Sequence, residues 1–110
     1  MSSTSSDVVR GTLDMLILRV LATDPEHGWG ICERIQRLSN DALKVQQGSL
    51  YASLHRMTRE GWIRSYWGVT SNSRQARSYE ITGAGRQQLR VESEEWTRLA
   101  NGVALVMFNA

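Results

Sequence analysis

The chain has 110 residues, enough for one domain and not two. Its 41% hydrophobic and 22% charged content fits a folded globular protein and excludes a disordered one. Net charge is only +2, but it is segregated. Residues 1–43 carry four arginines against six acids. Residues 44–90 carry Lys44 and seven arginines against Glu60 and Glu80, a local excess of +6. Residues 91–110 carry Arg98 against three glutamates.

Residues 1–10 are serine-rich and are expected to form a flexible N-terminus. They lack the apolar run of a signal peptide, and no stretch of eighteen apolar residues occurs to span a membrane. The single cysteine, Cys32, cannot form an internal disulfide, so a cytoplasmic protein is expected. From Thr12, a candidate N-cap, Leu13, Leu16, Ile17, Val20 and Leu21 recur at helical spacing. Asp14 reads as a first-turn acid and Asp24-Pro25 as the stop. Gly28-Trp29-Gly30 reads as a turn into a second helix with Ile31, Ile35 and Leu38 on its apolar face, and Asn40-Asp41 as its exit.

A third helix is expected from about Gly48-Ser49, with Leu50, Leu54 and Met57 inward and Ala52, His55, Arg56 and Arg59 outward. Gly61 ends it. Trp62–Trp67 and Arg77–Ile81 have strand composition, and residues 68–76 between them have turn composition. Thr82 caps a last helix in which Leu89, Trp96 and Val103 lie seven apart, with Leu99 and Val106 in the companion register and Glu92 interrupting. That seam, with Leu16, is the expected contact with a second copy. The expected fold class is therefore mainly α with a small β-hairpin. A winged helix-turn-helix occupies residues 11–81, and a C-terminal dimerisation helix occupies 82–110.

Catalytic constellations are missing. His27 and His55 are the only histidines, and no pair has metal-ligand spacing. No nucleophile elbow or phosphate loop occurs, so no enzyme, metal or cofactor is expected. His27 reads as a turn or cap residue and Cys32 as a small packing residue. The basic middle segment points instead to double-stranded DNA, whose phosphates arginine neutralises and whose base edges it forks onto. The candidate contacts are Gln47, Ser49, Tyr51, His55, Arg56 and Arg59 on the third helix and Arg74 and Arg77 at the hairpin. The competing reading is a winged-helix docking module that touches protein rather than DNA. The four tryptophans read mainly as packing residues. Trp96 on the seam is the one best placed to stack a small aromatic effector.

The stretches GTLDMLILRVL (11–21), HGWGICERI (27–35), QGSLYASLHRMTREGWI (47–63) and RSYEITGAGRQQL (77–89) resemble the PadR family of bacterial transcriptional regulators. The chain departs from the family pattern at Ala52, where proline usually follows the tyrosine. It has the short C-terminal helix of the compact members. The resemblance implies a homodimeric repressor whose third helix reads an inverted repeat. Ser49 and Tyr51 would fall at DNA-contact positions, and Arg74 and Arg77 in the wing. Some members release DNA on binding phenolic acids or planar drugs between the dimer halves.

Overall fold

The computed structural model describes residues 2–70 and 72–109, with side chains described from residue 12 onward; residues 2–10, expected to be flexible, fall within the first helix. Seven elements follow in chain order: α1 (Ser2–Thr23), β1 (Glu26–His27), α2 (Gly28–Leu38), α3 (Gln47–Arg59), β2 (Ile63–Val69), β3 (Gln75–Ile81) and α4 (Gly83–Asn109). Thr12 therefore lies inside α1 and does not cap it, and Asp14 is an interior residue of that helix.

The core forms where three helices and the sheet meet. Leu13, Ile17, Leu18 and Leu21 from α1, Ile31 and Ile35 from α2, and Leu50, Leu54 and Met57 from α3 pack with Ile63 and Tyr79. Cys32, Leu43, Val45, Trp62, Ile81 and Leu89 close its edges. Ile31 and Ile35 are buried as the spacing requires, but Leu38 is 68% exposed. It is the last residue of α2, and the chain turns away there through Asn40 and Asp41, both with positive φ.

Gly28-Trp29-Gly30 is the first turn of α2 and not a separate turn. His27 is its N-cap, with Nδ1 accepting from the Gly30 amide at 3.2 Å. At the end of α3 the chain reverses through Gly61, whose φ of +80° suits glycine and strains other residues.

The sheet is antiparallel in the order β1-β3-β2. The hairpin strands are longer than the composition implies. Val69 pairs with Gln75, so the turn occupies 70–74 and not 68–76. The Thr70 amide donates to the Arg74 carbonyl at 2.8 Å and the Arg74 amide to Thr70 Oγ1 at 3.3 Å, which closes that turn.

Thr82 fixes the start of α4. Its hydroxyl donates to the Gly61 and Trp62 carbonyls and accepts from the Gly85 amide at 3.0 Å. Helix α4 packs on α1, and Leu89 reaches the core. Glu92 accepts from Gln88 at 2.8 Å on the helix's own surface. Beyond it α4 carries a row of exposed apolar side chains. Leu99, Val103 and Val106 are all more than half exposed, and Trp96 is 43% exposed.

Candidate nucleic-acid interface

The inward stripe of α3 leaves a defined outward face. Leu50, Ser53, Leu54 and Met57 are buried, while Gln47, Tyr51, Ala52, His55, Arg56 and Arg59 are exposed and Ser49 is half-buried. The N-cap Gln46 makes no side-chain cap bond, so the first-turn amides of α3 are not taken up by that side chain. Such amides, at the positive end of the helix dipole, suit an anion.

The wing is set beside this face by strand register. Directly opposed residues of an antiparallel pair share a face. One face therefore carries Ile63 with Ile81, Ser65 with Tyr79, Trp67 with Arg77, and Val69 with Gln75. Its inner end enters the core at Ile63 and Tyr79. Further out, Ser65, Arg77 and Tyr79 meet Tyr51, Leu54, His55 and Thr58 of α3 across a cleft of about 430 Å³. Burial pushes the Tyr79 hydroxyl above its ordinary range; nearby Tyr51 adds to the effect and Arg77 opposes it.

Within the cleft Arg77 is held in place. Its guanidinium lies 4.8 Å from the centre of the Trp67 ring, and its Nη1 donates to Ser65 Oγ at 3.3 Å. Tyr51 is placed by a glycine. A Cβ at Gly28 would come within 2.6 Å of the Tyr51 hydroxyl, so only glycine lets the ring lie over the start of α2. Arg74 is exposed at the wing tip, behind Ser73 with its φ of 63°.

The structure does not hold all the candidate residues in one state. Tyr51, His55 and Arg77 converge on the cleft, Arg59 lies one turn further along α3, and Gln47 and Ser49 lie at its start. Arg56 instead forks onto Asp14 of α1, Nη1 to Oδ2 at 2.7 Å and Nη2 to Oδ1 at 2.9 Å. That pairing raises the Arg56 pKa further. On the far face of the wing Arg64 pairs with Glu80.

Three of the four tryptophans are exposed, Trp29, Trp67 and Trp96, while Trp62 is half-buried at the core edge. Composition does not place Ser65 and Tyr79 at the cleft or Trp67 on the same face beside Arg77, although the period of two from Ile63 and from Ile81 does. Burial pushes the Cys32 thiol up from its usual range. Among the described residues no three His, Cys, Asp or Glu side chains group as a metal site, and no helix is long and apolar enough to cross a membrane.

A sequence model of the PadR-like family of transcriptional regulators matches residues 17–91, which span α1 from Ile17 through the wing and into α4. The chain belongs to the PadR-like family. Solved transcriptional regulators share its architecture. A transcriptional regulator from Clostridium thermocellum is 28% identical, covers 89% of this chain and 95% of its own, and superposes with a TM-score of 0.80. A PadR family regulator from Eggerthella lenta is 27% identical, covers 99% of this chain and 93% of its own, with a TM-score of 0.78. A PadR-like regulator from Bacillus cereus, at 23% identity, shares the fold with a TM-score of 0.81 over 94% of this chain and 98% of its own. This PadR-like chain is thus a winged-helix transcriptional regulator, of a family that is in general not enzymatic.

Proposed function

We propose that two copies of this PadR-like regulator bind an inverted-repeat operator in double-stranded DNA and repress transcription from it in the cytoplasm. The observation that carries this reading is the division of the surface. Tyr51 and His55 of α3 share one cleft with Arg77 and Tyr79 of the wing, while the apolar seam of α4 is exposed elsewhere. In this reading Gln47, Ser49 and Tyr51 at the start of α3 meet base edges and neighbouring phosphates in the major groove. His55, Arg59, Arg74 and Arg77 meet the sugar–phosphate backbone. Leu16, Leu89, Trp96, Leu99, Val103 and Val106 contribute to the contact between copies. Each α3 then reaches a half-site about 34 Å from its mate. Trp96, on that seam, offers a flat surface on which a small aromatic effector stacks and changes the spacing of the two reading heads.

Selection of bound sequences from a random duplex library at about 150 mM salt tests this. Recovery of an inverted repeat is the expected result. Failure of folded protein to enrich any sequence overturns the reading and favours a docking module.

A further inference from the structure

The wing exposes more apolar surface than a solvated hairpin requires. Trp67 is 64% exposed and Val69 73% exposed. They are alternate residues of β2, so both lie on the face turned toward α3 and continue the cleft outward. Isolated exposed apolar side chains are ordinary, whereas a contiguous strip marks a contact. Arg77 lies on this strip and Arg74 lies just beyond it in the turn. No acid shares the face, because Glu80 is on the other side with Arg64.

A partner for the strip must therefore present apolar surface and negative charge together, adjoining whatever α3 meets. The wall of a DNA minor groove does so, with deoxyribose rings between successive phosphates. We infer that Trp67 packs the ring face not covered by Arg77 against deoxyribose in the minor groove flanking the half-site. The same ring holds Arg77 as a ready fork for the adjoining phosphate. Arg77 already stacks on the indole and bonds Ser65, so it loses less freedom on meeting a phosphate than a loose arginine does. A narrow A·T-rich groove, with its stronger negative potential, is the flank this arrangement favours. The inference rests on the DNA-binding reading above.

The test uses the full chain and a duplex bearing the sequence recovered by selection, with A·T or G·C flanks. Trp67→Ala is expected to weaken binding about tenfold, the scale of one aromatic contact plus one stacked cation. It should also remove the preference for A·T flanks. Trp67→Phe should recover most of the affinity. The fluorescence that wild type has and Trp67→Phe lacks should be quenched on adding DNA, which a purely structural tryptophan would not show. Circular dichroism confirms that each variant is folded.

Equal affinity of wild type and Trp67→Ala, with no quenching assigned to Trp67, overturns the inference while leaving the DNA-binding reading intact. A fall in molecular mass in Trp67→Ala, with affinity restored at high protein concentration, means that a second copy covers the strip, and also overturns it. If wild type enriches no sequence, both readings fall together.

Discussion

The Arg56–Asp14 pair separates a structural arginine from a phosphate-binding one. Arg56 lies on the exposed side of α3, yet both of its terminal nitrogens are engaged by a carboxylate on α1. Exposed pairs are worth about 0.2–1 kcal/mol. Bidentate geometry moves this one toward the upper end, and the exposure of Arg56 keeps it there. Asp14→Asn should therefore cost about 1 kcal/mol, or about 4 °C in melting temperature at fixed protein concentration. Each phosphate neutralised adds about 0.9 to the slope of log affinity against log salt. Because Arg56 is already paired, Arg56→Ala should leave the slope of the wild type unchanged. Asp14→Asn frees the guanidinium and should steepen the slope by about 0.9. The double variant should return to the wild-type slope. The assay is a salt titration of duplex binding by the four proteins. A slope that falls by about 0.9 in Arg56→Ala alone would refute the reasoning, since Arg56 would then leave Asp14 to meet DNA.

Other outcomes follow from the same geometry. Gly28→Ala should displace the Tyr51 ring and weaken operator binding severalfold, while circular dichroism shows the helices retained. Leu99→Glu with Val103→Glu should give a monomer by sedimentation and abolish recognition of the full repeat; an unchanged dimer mass would count against the α4 seam. Cys32 and Tyr79 both have raised pKa values, so the fold favours their protonated forms. Their contribution is fully present at neutral pH and is lost as pH rises, beginning near 9.0 for the thiol and 10.0 for the phenol. Melting temperature should therefore fall in that range, and less steeply in Cys32→Ala with Tyr79→Phe.

Local pattern carries the helices. Leu50, Leu54 and Met57 predict both the buried stripe of α3 and, by subtraction, its exposed face. Thr82 predicts the start of α4 because a hydroxyl cap acts over three residues. Features made by distant residues leave no such trace. β1 is two residues long and exists only because β3 lies beside it, pairing Glu26 with Tyr79 and His27 with Ser78. Asp14 and Arg56 are 42 positions apart, so their pairing depends on how α1 and α3 pack. Composition likewise groups Trp67 with the packing tryptophans. Its exposure follows from a strand that runs past the core edge, a matter of how far the sheet overhangs the helices.

Thr82 also sets how angles travel through the molecule. Its hydroxyl ties the root of α4 to the carbonyls of Gly61 and Trp62, the joint between α3 and β2. From that root the 27 residues of α4 extend about 40 Å. The helix is thus a lever pivoted at the foot of the reading head. A tilt of about 5° at Thr82 moves its far end by about 3.5 Å over that length. In the proposed dimer, run in reverse, a displacement of that size between two paired helices would turn each head by the same few degrees. On the proposed reading, a small adjustment far from the DNA face would in this way become a change of aim at the groove.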